Sequence, residues 1–243
     1  MRILIVHLGV LSELLPSTSI IKGLLKKIDN PNITWVINSP NNKYIFNYNK
    51  NINRVLSFQE LEKIDETFDV LINLHPYFPH EKCKNLKIKD AFDFNFQKEF
   101  GTFANVFEDK VILSNINIFQ MYYKLAGLTW KGEGYDIYYY PHSKQKRNKI
   151  GISFANINLR NYVIDTLHFE SSKLWYIPHK KNIFKRIDEI NKCEKIITDD
   201  IITCHLAVYL RKYVYFLKTF PLNVNLEFFG KGEIINVPKA IVQ

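Results

Sequence analysis

The chain has 243 residues, of which 47% are hydrophobic and 23% charged, and its formal net charge is +9. This composition is typical of a globular protein with one large or two small domains. No apolar run approaches the ~20 residues that a membrane-spanning helix needs. The three cysteines lie far apart and form no CxxC pair, which argues against a disulfide framework and a zinc site. The apolar N-terminus is too short for a signal peptide, so we expect a cytoplasmic protein.

The excess of basic residues has three interpretations. Nucleic-acid binding would need a basic stripe with interleaved aromatic residues, and we expect no nucleic-acid partner. A phosphate-bearing small ligand or an anionic membrane surface would need only a local patch. The simplest interpretation is a lysine-rich, asparagine-rich surface without a specific partner.

The N-terminal stretch organises the chain. The apolar, β-branched run Met1–His7 predicts a strand buried on both faces of a parallel sheet. A glycine-containing turn follows at Leu8–Ser12, and apolar residues then recur at helical spacing over 20–28. Strand, turn and helix open a βαβ unit, in which ligands gather where strands end and helices begin. The ligand site should therefore lie close to residues 7–19.

The rest of the first half continues this alternation. Strands are predicted over Asn32–Ile37, Asn53–Phe58, Phe68–His75 and Tyr135–Tyr140, a loop over Pro76–Phe92 and a helix over Asn115–Leu128. Asn73 and His75 end their strand, where ligand-facing groups belong in a parallel sheet. Both could equally end the strand by bonding the local backbone.

A second βα series begins after a basic, proline-led segment that reads as a linker. Strands are predicted over 149–154, 173–177, 195–198 and 213–217, with helices over 182–191 and 203–210. A helix between Phe154 and Lys173 is shortened or lost. The predicted organisation is a domain over residues 1–140, a linker over 141–148 and a domain over 149–243. The basic clusters around Lys144–Lys149 and Lys180–Arg186 are predicted to be solvated faces, with phosphorylated lipid headgroups as the alternative partner.

Two stretches resemble a known family. MRILIVHLGVLSELLPSTSIIKGLLKK is similar to the opening of glycosyltransferase family 9, the lipopolysaccharide heptosyltransferases. In CEKIITDDIITCHLAVYLRKYVYFL, Asp200 and His205 keep the family's five-residue separation, and His205-Leu206-Ala207 reproduces its helix start. The resemblance implies an α/β protein of the GT-B-like class, with two Rossmann-like domains facing a cleft and a reduced second domain.

The resemblance also implies roles for individual residues. Glu13 stands in place of the family's aspartate, so it is the expected catalytic base; its alternative role is a first-turn glutamate that favours the helix dipole. Ile201-Ile202 replaces the family's Thr-Gly, which narrows the diphosphate cradle. The expected donor contacts are Arg160, Asp200, Thr203 and His205. The expected acceptor contacts are His7, Ser12, Asn73 and His75, with His7 also a possible proton partner. Asp200 could instead be a helix N-cap, and His205 a core histidine.

The implied activity is inverting transfer of a sugar, with heptose the first candidate, from an ADP-linked nucleotide-sugar to a surface glycan, lipid or protein. No metal or other cofactor is expected, and the protein would stay cytoplasmic or peripheral to an anionic inner membrane face. Two alternatives remain open. The second stretch is also similar to polysaccharide pyruvyl transferases, and the substitutions at Glu13 and Ile201-Ile202 would suit a non-catalytic sugar- or nucleotide-binding relative.

Overall fold

A computed structural model describes residues 1–75, 82–92, 117–144, 149–154, 158–166, 168–179, 182–219, 232–238 and 241. It divides into two compact units, a first one over Met1–Tyr138 and a second one that begins at Tyr139. Predictions made for 76–81, 115–116, 145–148 and 180–181 lie outside the described residues. Within the described part of the chain, no helix is long and apolar enough to cross a membrane.

The first unit is a parallel sheet with helices between its strands. Its strands are β1 (Arg2–His7), β2 (Asn32–Ile37), β3 (Arg54–Ser57), β4 (Thr67–Asn73) and β5 (Lys87–Phe92), and its helices are α1 (Leu11–Ser17), α2 (Ile20–Lys27), α3 (Phe58–Leu61) and α4 (Ile118–Leu125), with a 3₁₀ helix over Pro40–Phe46. All paired strands run parallel in the order β3-β2-β1-β4-β5. The order reverses direction between β1 and β4, which is where ligands bind in Rossmann-like sheets.

The N-terminal strand confirms the predicted buried run, because Ile3, Leu4, Ile5 and Val6 are all 0% exposed. The segment after it differs from the prediction, since α1 already begins at Leu11 and carries Pro16 inside it. Proline has no N–H for the helical ladder. The Ser17 and Thr18 hydroxyls then donate to the Leu14 and Leu15 carbonyls, at 2.8 and 2.7 Å. The chain therefore forms two short helices where one was predicted.

Two further predictions for the first unit are wrong. Strand β5 lies within the predicted loop and pairs with β4 at the edge of the sheet. Its alternating lysines break the apolar run by which the other strands were predicted. The predicted strand at Tyr135–Tyr140 is an irregular segment. Lys22 Nζ donates to the Gly134 and Tyr135 carbonyls, and the Asp136 N–H donates to Thr18 Oγ1 at 3.0 Å. Side chains thus satisfy backbone groups that a sheet would otherwise pair.

The second unit repeats the design with a different strand order. Its strands are β6 (Ile150–Ser153), β7 (Leu174–Tyr176), β8 (Lys195–Thr198), β9 (Tyr213–Lys218) and β10 (Gly232–Asn236), and its helices are α5 (Asn158–Asp165), α6 (Ile183–Asn191) and α7 (Ile201–Tyr209). These strands are also parallel, in the order β10-β9-β8-β6-β7. This is the flavodoxin-like order, which reverses between β6 and β8. Strand β10 was not predicted from the sequence. Helix α5 is the short helix that was predicted between Phe154 and Lys173.

The three cysteines are buried, and none of them forms a disulfide. Cys83 belongs to the first unit, and Cys193 and Cys204 belong to the second. Burial, with a smaller contribution from Asp200, raises the pKa of the Cys204 thiol to about 12. A thiol of this kind stays protonated and unreactive at neutral pH.

Candidate functional site

In the first unit, β1 and β4 end side by side at the point where the strand order reverses. Val6 is paired with Asn73, and the Leu74 N–H donates to the Val6 carbonyl at 2.8 Å. The parallel register therefore brings His7, which ends β1, to the same sheet edge as His75. Two of the residues chosen from separate stretches of sequence meet at this edge.

His7 is buried and held by two hydrogen bonds. Its Nδ1 accepts the Gly9 N–H at 3.3 Å, and its Nε2 lies 3.2 Å from the Tyr122 hydroxyl oxygen. Burial, and then the neighbouring His75, lower the pKa of His7 to about 3. His7 is thus neutral near pH 7, and its contact with Tyr122 was not predicted from the sequence.

Glu13 is the third residue of α1 and bonds back to the helix start. Its Oε2 accepts the Val10 N–H at 3.0 Å, and the Glu13 N–H donates to the Val10 carbonyl at 3.0 Å. Burial raises the pKa of Glu13, against the opposing effect of the Val10 N–H. The predicted first-turn position is confirmed, and the raised pKa is a shift in the direction expected of a general base.

A second glutamate in the same unit provides a contrast. Glu60 is the third residue of α3, and its Oε2 accepts the Ser57 N–H at 2.6 Å. The bond from Lys43, and then that from Ser57, lower the pKa of Glu60 to about 2. Two glutamates at equivalent helix positions therefore have opposite pKa shifts, because burial dominates at Glu13 and a lysine dominates at Glu60.

Gly9 lies between the two candidate residues. A Cβ at Gly9 would collide with Glu13 Oε2 and would lie 2.8 Å from His7 Cε1. A Cβ therefore fits at this position only if the flexible end of Glu13 moves, and the Gly9 Cα lies close to both the His7 ring and the Glu13 carboxylate.

The other predicted acceptor contacts lie on the same elements. Ser12 precedes Glu13 in α1 and is partly exposed. Asn73 Oδ1 accepts the His75 N–H at 3.0 Å, which is the local backbone bond of the alternative interpretation. Burial lowers the pKa of His75. Contact of Ser12, Asn73 and His75 with an acceptor stays a prediction.

In the second unit, Asp200 follows β8 at the corresponding reversal point and caps α7. Its Oδ2 accepts the Thr203 N–H at 3.0 Å, the Thr203 hydroxyl at 2.6 Å and Arg186 Nη1 at 2.6 Å. The predicted N-cap role is confirmed. Asp200 and Thr203 are brought together as expected, but one carboxylate oxygen already serves three donors.

Arg186 is a site residue that sequence analysis placed wrongly on a solvated face. Its side chain is only 7% exposed and it forms an ion pair with Asp200. The spacing contains a signal for this position, since Ile183, Ile187 and Ile190 are the buried face of α6 and Arg186 falls on the same face. A charged residue at such a position predicts a buried partner.

Ser153 and His179 extend the Asp200 cluster. Ser153 Oγ lies 3.3 Å from His179 Nε2 and 3.3 Å from Thr203 Oγ1, and His179 Nδ1 lies 3.7 Å from Asp200 Oδ2. The succession serine, histidine, aspartate is that of a hydrolytic triad. Ser153, however, is 0% exposed, so its hydroxyl is out of reach of a substrate. The arrangement is a structural network, and His179 is its partly exposed end.

The two remaining donor candidates lie apart from these contacts. Arg160 is exposed in the first turn of α5, and none of the hydrogen bonds that join the Asp200 cluster involves it. His205 is 2% exposed inside α7. Burial lowers the pKa of His205 to about 4, although Asp200 acts in the opposite direction. The core position anticipated as the alternative for His205 is therefore the observed one.

Within the described ranges, no group of three or more histidine, cysteine, aspartate or glutamate side chains could hold a metal ion. Asp199 and Asp200 are adjacent in sequence, yet Asp200 is engaged by Arg186. The expectation of a metal-independent protein stays a prediction.

No protein-family model and no curated protein sequence matches the chain. Solved structures do. A glycosyltransferase family 9 protein from Veillonella parvula is 13% identical with a TM-score of 0.65, and the match covers 96% of this chain and 85% of that one. The E. coli ADP-heptose heptosyltransferase II is 11% identical with a TM-score of 0.62, over 98% and 91% of the two chains. The E. coli heptosyltransferase WaaC, solved with ADP-2-deoxy-2-fluoro heptose, is 10% identical with a TM-score of 0.60, over 98% and 94%.

The chain has the fold of these transferases. The resemblance predicted from two sequence stretches is thus confirmed for the fold, with two Rossmann-like units of parallel strands. In this chain, His7, Glu13 and Tyr122 lie at the point where the strand order of the first sheet reverses. Asp200, Arg186 and Thr203 lie at the corresponding point of the second sheet.

Proposed function

We propose that the protein is an inverting glycosyltransferase that moves a sugar, with heptose as the first candidate, from an ADP-linked nucleotide-sugar to a hydroxyl of a glycan, lipid or protein. The fold supports this proposal, because structures of the same fold include an ADP-heptose transferase and a heptosyltransferase solved with an ADP-sugar analogue. The two reversal points supply chemically different groups, a proton-accepting carboxylate in one unit and a polar helix start in the other.

In the proposed reaction, an acceptor hydroxyl attacks the anomeric carbon of the donor from the face opposite the diphosphate. The new carbon–oxygen bond forms as the bond to the diphosphate breaks, so the anomeric configuration inverts. The acceptor proton passes to the Glu13 carboxylate, and the bonding electrons leave with ADP. No metal participates in this scheme, and we assign binding of the departing diphosphate to the helix start at Asp200.

The observation that carries the proposal is the environment of Glu13. Burial raises the pKa of Glu13 in the first turn of α1, whereas the equivalent Glu60 is held ionised by Lys43. A general base works best when its pKa approaches the working pH. The sequence places Glu13 where the family's aspartate stands, and its surroundings fit that role.

The test has a binding step and a turnover step. Thermal unfolding is measured with ADP, UDP, GDP, CMP and their sugars, because a ligand that binds only the folded state raises the melting temperature. We expect a selective shift with ADP and ADP-heptose. ADP release is then measured with candidate acceptors for the parent protein, Glu13→Gln and Glu60→Gln.

Glu60→Gln is the matched control, since it changes a glutamate at the same helix position in the same unit. We expect Glu13→Gln to bind ADP-heptose normally and to lose turnover by ~10²-fold or more, while Glu60→Gln keeps parental turnover. Equal turnover in all three proteins would refute the role of Glu13.

The same experiment separates the alternatives. Nucleotide binding without ADP release from any nucleotide-sugar in the parent protein would favour a non-catalytic relative. Formation of a pyruvyl ketal from phosphoenolpyruvate would favour the pyruvyl transferase-like activity. Specific binding to an anionic vesicle in a salt-dependent manner would support a peripheral membrane position.

A further inference from the structure

We propose that Tyr122 is a positioning residue for the first-unit site: it holds the His7 ring in place, and His7 in turn fixes the Gly9 turn that leads to Glu13. The hydrogen bonds and close contacts of this segment carry the inference. Only its kinetic consequence rests on the proposed function, so the structural part can be tested without turnover.

The first step concerns the proton on His7. The Gly9 N–H is a donor only, so Nδ1 must accept its hydrogen bond at 3.3 Å. In a neutral imidazole the proton then lies on Nε2, which donates to the Tyr122 hydroxyl oxygen at 3.2 Å. The Gly9 N–H therefore selects the tautomer of His7, and the Tyr122 hydroxyl accepts the Nε2 proton of that tautomer and anchors the ring.

The second step leads from His7 to Glu13. Gly9 is bonded to the ring of His7, and its Cα lies close to both that ring and the Glu13 carboxylate. The next N–H along the chain, that of Val10, donates to Glu13 Oε2 at 3.0 Å. Two consecutive backbone N–H groups thus join the imidazole to the carboxylate, and a shift of the ring would move both.

The third step concerns the burial and the charge state of His7 and Tyr122. Tyr122 belongs to α4 and lies 115 positions from His7, and both side chains are buried. Among the described residues, the titratable groups close to His7 include His75 after β4, Glu13 on α1 and Tyr122 on α4. Burial, and then the charge of Glu13, raise the pKa of Tyr122, so its hydroxyl keeps its proton at any physiological pH. The pair is neutral throughout and acts by geometry.

Tyr123 provides a matched control on the same helix. Its hydroxyl is also in a buried hydrogen bond, donated to the Ser19 carbonyl at 2.8 Å, and it does not contact His7. Tyr122→Phe and Tyr123→Phe each delete one buried phenolic hydroxyl from α4. A general loss of stability should affect both variants, while an effect through His7 should affect only the first.

The first measurement is the ¹⁵N spectrum of the imidazole nitrogens in the full-length protein, from pH 5 to pH 8. We expect His7 in the parent protein and in Tyr123→Phe to be one neutral tautomer with the proton on Nε2. In Tyr122→Phe the Nε2 proton loses its acceptor and the ring its anchor, so the Nδ1 signal, which reports the bond to Gly9, should shift together with the Nε2 signal. A parent protein with the proton on Nδ1, or a Tyr122→Phe variant whose Nδ1 signal is that of the parent, would overturn the proposal.

The second measurement is steady-state ADP release from ADP-heptose. A displaced catalytic group costs rate more than binding, so we expect Tyr122→Phe to lower kcat by ~10-fold or more with little change in the donor KM. Tyr123→Phe should keep the parental kcat. If the parent protein turns over and Tyr122→Phe does so equally fast, the positioning role is refuted. If the parent protein turns over no nucleotide-sugar, the proposed function fails, and the tautomer spectra still decide the role of Tyr122.

Discussion

Each unit has a carboxylate close to the point where the strand order of its sheet reverses, but the hydrogen-bond donors around the two carboxylates differ. In the first unit, Glu13 Oε2 accepts a backbone N–H, and burial raises its pKa. In the second, Asp200 Oδ2 accepts hydrogen bonds from the Arg186 side chain, the Thr203 hydroxyl and the Thr203 N–H. Three donors on one oxygen hold the Asp200 carboxylate in a fixed position, whereas the Glu13 oxygen accepts a single backbone N–H and burial raises the pKa of its carboxyl.

The difference teaches that topology selects the location of a site and that the local donors select its chemistry. Both sheets reverse direction beside the relevant residue, although their strand orders differ. What distinguishes the units is Arg186, a buried cation on α6, and the pairing of His7 with Tyr122. The following predictions test that distinction, from the largest expected effect to the smallest.

Arg186→Met should cause the largest loss of stability. It removes the cation that is paired with Asp200, whose side chain is only 15% exposed. Deleting one partner of a buried ion pair leaves an uncompensated charge, so we expect the free energy of unfolding of the second unit to fall by about 3 kcal/mol. Urea denaturation of the single and double variants with Asp200→Asn measures the coupling. The double variant should recover part of the loss.

The control for this prediction is Lys173→Ala, which removes the exposed partner of Glu170 in the same unit. An exposed pair of this kind contributes about 0.5 kcal/mol. Equal losses for Arg186→Met and Lys173→Ala would mean that the Asp200 cluster is no better desolvated than the surface.

Gly9→Ala should destabilise the first unit by about 1 kcal/mol, the lower end of the scale of overpacking. The new Cβ would collide with Glu13 Oε2, so the Glu13 carboxylate must move and give up its bond from the Val10 N–H. Gly134→Ala is the control, because a Cβ there meets nothing within 4 Å. Thermal unfolding of the two variants should differ clearly, and a harmless Gly9→Ala would contradict the close packing of the turn.

Asn73 tests whether the end of β4 is structural. Asn73→Ala removes the acceptor of the His75 N–H and should cost about 1 kcal/mol. Asn73→Asp keeps an oxygen in that place and should restore the stability. If Asn73→Asp restores stability but lowers ADP release, Asn73 contacts the acceptor substrate and its role is not only to end β4.

Glu13 and Glu60 should affect the pH dependence of stability with opposite signs. At Glu13 the folded pKa is raised by burial, so its stabilising contribution is complete below the unfolded pKa and is lost as the pH rises through the folded pKa. At Glu60 the pKa is lowered to about 2, mainly by Lys43, so its contribution is present above the unfolded pKa and is lost as the pH falls toward 2.

We therefore expect Glu13→Gln to be slightly more stable than the parent protein at pH 7, by about 0.5 kcal/mol, and to match it at pH 4. Glu60→Gln should be less stable than the parent at pH 7. Denaturation curves across this pH range measure both. Effects of the same sign would mean that burial does not dominate at Glu13.

Much of the fold could be predicted from the sequence because parallel strands are continuous apolar runs. Strand β2 and strand β8 begin and end where they were predicted. Strand β5 was missed because lysines alternate along it at the sheet edge. The segment at Tyr135–Tyr140 has strand-like residues, yet side chains from α2 and its surroundings satisfy its backbone groups instead. Local patterns do not contain these tertiary bonds.

The site was predictable only in part for the same reason. Asp200 as a helix cap follows from its local sequence, and Glu13 as a first-turn glutamate does too. Arg186 was detectable, since it falls on the apolar face of α6. Tyr122 was not, because its role depends on a partner 115 residues away and on the choice of one imidazole nitrogen.

Labelling of the three buried thiols would report how often each unit opens. A thiol reagent can modify Cys83 only when the first unit opens, and Cys193 or Cys204 only when the second does. Mass spectrometry of labelled peptides would therefore record the opening rate of each unit separately in one sample, without any engineered probe. A nucleotide that binds one unit would slow the labelling of its cysteines alone, which would reveal the unit that holds the ligand.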